Sequence, residues 1–295
     1  MPNIFQGIGQ VIGYLFKVEP KQAEDTLEEQ INKVLAEERE KIRPSREDID
    51  TFSWITGDNN PIHRLQKRAK EFGFSDIPIM GAHIAAYGEQ FIERIVERMR
   101  DYWGADIKII GQDSKFKNPL YPTERILWQI VNYKQNNGNI ELNVTGTTKD
   151  RKIVDITSRL GDQYPLMPQI AGPIPNSSRR YLLDPRHLEE FYDCVGAKHT
   201  GLVPNMLPAA YVPATLLELL KEKTQTMEGA NLSMKFDFLA PAKPGFLQVD
   251  IFPPGEPSER KGNFIYRFKT VVSQDTKPIT YGEILSSTKY KILFS

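Results

Sequence analysis

The sequence predicts an α+β fold made of two similar units, each a long central helix wrapped by an antiparallel sheet. Two observations support this. From residue 81 to about residue 103, apolar residues (Ile84, Tyr87, Phe91, Ile95, Met99) recur every three or four positions, the mark of a helix burying one face along its length. Four strand-like runs follow, at 107–116, 125–134, 140–148 and 153–160, and the same order of features returns in the second half of the chain.

Taken in order, residues 4–16 are apolar and contain glycine. They lack a basic leading segment and a small-residue cleavage site, and they are too short to span a bilayer. A helix or arm packed on the body or on a second subunit is expected there, with a membrane-surface anchor as the alternative. Residues 22–42 are rich in Glu and Lys, with Leu27, Ile31 and Leu35 on one stripe, and read as an amphipathic helix. Pro44 resets the chain. Ser45 and Asp48 then form a capping box for a helix through Ile49, Phe52 and Ile55 that ends at Gly57. In the first sheet, residues 135–139 (Gln-Asn-Asn-Gly-Asn) and 149–151 (Lys-Asp-Arg) are natural hairpin turns. Proline-rich residues 164–186 show almost no periodicity and read as a semi-rigid linker. The expected organisation is a helical extension at 1–43, a first unit at 44–163, the linker at 164–186 and a second unit at 187–295.

The repeat is visible residue by residue. Residues 188–196 match 49–57 in their apolar positions, their Phe and their closing Gly, and residues 210–220 resemble 86–95. Residues 238–245 echo 116–123, each a Phe followed by Pro-x-x-Pro and a strand. The halves diverge after the closing glycine: Asp58 follows Gly57, whereas Ala197 follows Gly196 with no Asn-Pro-x-His after it.

At 295 residues the chain has room for two ordinary domains. Lys plus Arg equals Asp plus Glu at 38 each, so no global field favours nucleic acid or an anionic membrane. One cysteine, Cys194, cannot form an internal disulfide, and four histidines leave little room for zinc, so no metal site is expected. A cytoplasmic location is the expectation.

The chemistry centres on residues 56–63, Thr-Gly-Asp-Asn-Asn-Pro-Ile-His. Asp58 and His63 lie five apart in a segment held by Gly57, Asn60 and Pro61, all turn formers. A carboxyl group and an imidazole converging on a water form an acid/base pair for adding water to a conjugated carbonyl, which also needs a donor for the enolate oxygen. The amide of Gly81, at the start of the central helix, could be that donor. Taken singly, Asp-Asn-Asn-Pro is usually only a turn, and a lone His is usually structural. His83 and Tyr87 read as packing, Cys194 as buried and inert, and His199 has no assigned role. Arg179–Arg180 and Lys115–Lys117 could meet phosphates, although a solvated surface is the better reading for both.

The ordered string, followed by five residues and Ala69, resembles the hydratase 2 motif of the MaoC-like dehydratases, the (R)-specific enoyl-CoA hydratases of the hotdog fold. Residues 74–81 and 116–122 are similar to that family's lead into the central helix and its strand entry. The resemblance spans about 43–162 well and 187–295 weakly, as a degenerate second hotdog. It implies a double hotdog in which Asp58 and His63 activate water for syn addition to a trans-2-enoyl thioester, giving the (R)-3-hydroxyacyl product. Gly81 would hold the thioester oxygen, and Asn60 would brace the loop and touch the water. Met80 stands where the family usually has His, marking either an altered acyl pocket or a packing change, and the usual Pro sits one residue later, at Pro78. The second unit would supply part of the acyl tunnel along 207–220. The implied partner is an acyl thioester of coenzyme A or acyl carrier protein, with no further cofactor, in a monomer or homodimer. The alternatives are a 3-hydroxyacyl-carrier-protein dehydratase, a non-catalytic thioester-binding subunit, and a hotdog thioesterase.

Overall fold

The structure, a computed structural model, describes residues 27–136, 139–169, 174–224 and 229–292. The apolar stretch 4–16 lies outside them. Helix α1 (Leu27–Glu37) belongs to its own N-terminal unit, and the second compact unit begins at Glu38. Among the described residues, no helix is long and apolar enough to cross a membrane.

The helix expected to run to residue 42 stops short, because Arg39–Ile42 forms a strand, β1. It pairs antiparallel with β3 (Ile126–Asn136), Arg39 opposite Gln129 and Ile42 opposite Ile126. Its Glu40 carboxylate meets Arg94. A sheet ladder and a cross-element ion pair thus override the local helix preference of Glu and Lys.

Helix α2 (Arg46–Thr56) opens with the expected capping box: Ser45 Oγ accepts from the Asp48 amide at 3.0 Å, and Asp48 Oδ2 accepts from the Ser45 amide at 2.6 Å. Two short helical pieces follow, a 3-10 turn at Pro61–His63 and α3 (Gln66–Glu71). The long apolar run becomes α4 (Gly81–Arg98), continued after Met99 by α5 (Arg100–Trp103). Strands β2 (Lys108–Phe116), β3, β4 (Asn139–Thr147) and β5 (Lys152–Gly161) are the four expected. The turn between β4 and β5 closes with Thr148 donating to the Arg151 carbonyl at 2.9 Å. The centre of the β3–β4 turn, 137–138, lies outside the described residues.

The Pro-rich stretch is not all spacer. Ser177–Leu183 forms strand β6, paired with β8 (Gly245–Ile251) from Ser177 opposite Ile251 to Leu183 opposite Gly245. The prolines flank this strand, and Pro185 starts α6 (Pro185–Val195), where its missing N–H costs nothing. The second half continues with α7 (Met206–Thr224), β7 (Ala230–Phe238), β9 (Ser258–Arg260), β10 (Asn263–Gln274) and β11 (Lys277–Thr288).

All the strands join in one eleven-stranded antiparallel sheet, ordered β1-β3-β4-β5-β2-β7-β11-β10-β8-β6 with β9 on β10. The order reads as two equal arms about the β2–β7 seam. Phe116 and Phe238, matched in the sequence repeat, are 122 positions apart. On the seam, Asp113 sits opposite Lys235, also 122 apart, so equivalent residues face each other there and an approximate two-fold passes between them. The strand exits agree: Lys117 and Asn118 both donate to the Ile153 carbonyl, and Leu239 and Ala240 both donate to that of Ile279. Helices α4 and α7 pack on each other beneath the sheet, and Ala85 and Ala86 on the first and Ala209 and Ala210 on the second are all fully buried.

Candidate active site

Gly57 ends α2 in the left-handed region at φ 73°, which a Cβ would strain, and its amide closes on the Ser53 carbonyl at 2.9 Å. The chain turns inward from there. Ser53 Oγ donates to the Asp58 carbonyl at 2.5 Å, and Asp58 Oδ1 accepts from the Asn60 amide at 3.2 Å. Asn60 Oδ1 accepts from the Ile62 amide at 3.3 Å, capping the 3-10 turn that presents His63. Asn60 Nδ2 donates to the Gly229 carbonyl in the second half at 2.9 Å. The loop is thereby tied down at both ends.

His63 Nδ1 lies 2.7 Å from the Pro78 carbonyl oxygen. A carbonyl can only accept, so Nδ1 carries the proton and Nε2 is left with a free lone pair. Burial lowers the His63 pKa below the usual imidazole value, opposed by the Asp58 charge and the Pro78 bond, while Arg46 lowers it further. Asp58 is 4 % exposed, and burial raises its carboxyl above the usual range, against the pull of His63 and the Asn60 bond. The pair therefore holds a neutral base and a carboxyl group biased toward its protonated form.

Both residues border a cavity of about 190 Å³. Asn60 and Gly81 line it as well. Gly81 is the first residue of α4, and Met80 before it supplies no side-chain cap, so the first-turn amides are available to a ligand. A Cβ at Gly81 would lie 3.0 Å from the Phe116 ring, which also lines the cavity. Pro213, Leu216, Leu217 and Leu220 of α7 give it an apolar lining, together with Ile62, Phe74 and Ile84 from the first half.

The structure thus brings Asp58, Asn60, His63 and Gly81 together at one cavity. Met80 is not part of it. Of its two expected readings, an altered acyl pocket or a packing change, burial favours the second: it is 1 % exposed in the core, while Ile79 and Gly81 on either side line the cavity. The Gly229 carbonyl carried no sequence signal, since tertiary packing brings it to the site, while Phe74 and Phe116 lie in segments the sequence singled out without marking them as cavity walls.

The remaining candidates have structural roles. His83 stacks between Phe52 and Tyr87 at centroid distances of 4.3 and 4.6 Å. Its Nε2 lies 3.1 Å from the Cys194 carbonyl, to which Tyr87 also donates at 2.9 Å. These bonds satisfy a carbonyl in the last turn of α6. Burial pushes His83 down to about 4. Cys194 is buried, with its thiol pushed up. His199 is paired on the surface with Asp193 at 2.7 Å. Arg179 pairs with Glu222, Lys115 with Asp113 and Lys117 with Asp155, while Arg180 lies over the Phe246 ring.

No protein-family model matches the sequence, and no curated protein does. Solved structures do match. A MaoC-like dehydratase from Phytophthora capsici aligns over 86 % of this chain and 97 % of its own at 12 % identity, with a TM-score of 0.57. A Mycobacterium tuberculosis protein described as having a double hotdog fold aligns over 84 % and 93 % at 11 % identity, TM-score 0.58. The chain has a double hotdog fold. The peroxisomal multifunctional enzyme type 2 of Drosophila melanogaster aligns over 97 % of this chain and 53 % of its own, at 13 % identity and TM-score 0.51. At these identities the likeness is one of fold. Within this double hotdog, the Asp58–His63 loop belongs to the first half, and the cavity wall opposite it to the second.

Proposed function

We propose that this double hotdog is a hydro-lyase acting on acyl thioesters: it hydrates trans-2-enoyl-CoA to (R)-3-hydroxyacyl-CoA, or runs the reverse dehydration. The observation behind this reading is the pairing of a buried carboxyl group with an imidazole, fixed by its Pro78 bond as the Nδ1–H tautomer, on the lining of a largely apolar cavity. Domain limits of 44–163 for the catalytic half and 187–295 for the degenerate one follow from the same reading.

A water held between the two side chains gives up a proton to His63 Nε2 as its oxygen bonds to the β-carbon. Electrons move to the thioester oxygen, where the Gly81 amide stabilises the developing charge. The protonated Asp58 carboxyl then delivers a proton to the α-carbon on the same face. The imidazolium returns its proton to Asp58, so one water is added and the enzyme is restored. Asn60 keeps Asp58 and His63 in register, and α7 packs along the acyl chain. Burial shifts both groups toward these starting states.

The test is purified protein with a short and a longer trans-2-enoyl-CoA, following loss of the enoyl absorbance together with release of free thiol. Loss of absorbance without thiol supports hydration. Thiol release without hydration would show a thioesterase, and inactivity on every chain length would reject the reading for coenzyme A substrates.

A further inference from the structure

The repeat relates the cavity to a second place in the molecule. Ala86 on α4 and Ala210 on α7, equivalent in the repeat and both fully buried, are 124 positions apart. The same spacing takes Gly81 to Asn205, Pro213 to Glu89, Leu216 to Ile92 and Leu217 to Glu93. The residue that opens the cavity thus has its counterpart just before α7, and the residues of α7 that wall it have theirs on α4.

Two of the three wall counterparts, Glu89 and Glu93, carry carboxyl groups where the cavity has apolar side chains. Glu89 is fully buried, and its Oε2 accepts from the backbone amide of Met206, the first residue of α7, at 3.0 Å. Its carboxyl group also hydrogen-bonds Asn205, the counterpart of Gly81, through that residue's backbone and side chain. Met206 is the counterpart of Ala82, next to Gly81, so a first-turn amide that is free in one half is capped in the other by a side chain from the opposite helix. A carboxyl group is the preferred partner for such an amide. Glu93, in the place of Leu217, adds a second acid where an acyl chain would need hydrocarbon.

We infer that Glu89 is an internal ligand of the second half: its carboxyl group occupies the helix-terminal site equivalent to the one at Gly81, and closes that pocket to acyl thioesters. The analogy with a thioester oxygen rests on the hydro-lyase reading. The occupancy itself does not, so it is tested without an activity readout.

Three variants make that test. Glu89→Gln keeps an acceptor oxygen, Glu89→Leu fills the space without one, and Glu89→Ala leaves a vacancy. Hydrogen exchange at the Met206 amide is expected to speed up at least about tenfold in Glu89→Leu and to stay within about threefold of wild type in Glu89→Gln. Glu89→Ala is expected to melt lower, and about 100 mM acetate should recover a measurable part of the loss where chloride at equal ionic strength recovers none and wild type gains nothing. Equal exchange at Met206 in the Gln and Leu variants would overturn the inference, even if Glu89→Ala fails to fold. So would stabilisation of wild type and Glu89→Ala by acetate to the same extent.

Discussion

The side-chain amide of Asn60 donates to the carbonyl oxygen of Gly229 at 2.9 Å, a hydrogen bond between residues 169 positions apart. It joins the loop bearing Asp58 and His63 to the half of the molecule that walls the cavity, so the proposed chemistry depends on how the two halves are held together.

Asn60→Ala removes that bond and the cap on the 3-10 turn, leaving the buried Gly229 carbonyl without its partner. The expected cost is about 1–3 kcal/mol of stability. A fall in kcat of about 10–100-fold should accompany it, because a loop displaced by even 1 Å misplaces both catalytic groups. Thermal unfolding and steady-state kinetics check this; unchanged kcat would remove Asn60 from the site.

The pH profile of kcat/KM should be bell-shaped. His63 must be neutral to accept a proton, and its folded pKa lies below the usual imidazole value, so activity falls on the acid side only as pH drops through that lowered value. Asp58 must be protonated to donate, and its pKa is raised, so activity falls again as pH rises through it. Loss of the acid limb in His63→Gln, with residual activity flat there, is the expected signature.

Stability carries a separate acid dependence from His83. Its folded pKa is pushed from 6.5 to about 4. Above 6.5 neither the folded nor the unfolded state binds the proton, and there is no penalty. Between 6.5 and about 4 the unfolded chain takes up a proton that the folded protein excludes, so stability declines with falling pH and then levels off. The full difference is about 3 kcal/mol. Denaturant unfolding at pH 7 and 4.5 should show a decline that is smaller in His83→Phe; an equal decline in both would contradict the assignment.

Chain-length preference should follow α7. Leu217→Ala or Leu220→Ala removes part of the cavity wall and should favour longer acyl chains, while Leu216→Phe should restrict the site to short ones. The change should appear in the ratio of kcat/KM between chain lengths, by about 10-fold per variant. A constant ratio would place the acyl chain elsewhere.

What the sequence made legible was mostly local. The Ser45–Asp48 capping box, the glycine that closes α2 and the repeated glycine that closes α6 are each set by a few neighbouring residues, and all appear as read. The spacing of Asp58 to His63 likewise contained its own turn chemistry. Strands β1 and β6 were not legible, because Arg-Glu-Lys-Ile and Ser-Ser-Arg-Arg-Tyr-Leu-Leu lie at the two edges of the sheet and owe their extension to β3 and β8. Met80, standing where the resembled family usually has His, left an altered acyl pocket and a packing change both open, and its burial in the core favours packing. The Gly229 carbonyl and the capping of Met206 by Glu89 are long-range pairings with no local trace.

The most direct measurement is the hydration rate of a trans-2-enoyl-CoA by wild type, Asp58→Asn and His63→Ala, with thermal unfolding of each. Asp58→Asn removes a buried ionisable group whose raised pKa costs the folded state stability at neutral pH, so that variant should melt no lower than wild type. Its activity should nonetheless fall by at least about a thousandfold, as should that of His63→Ala. A folded Asp58→Asn protein hydrating at the wild-type rate would contradict the account.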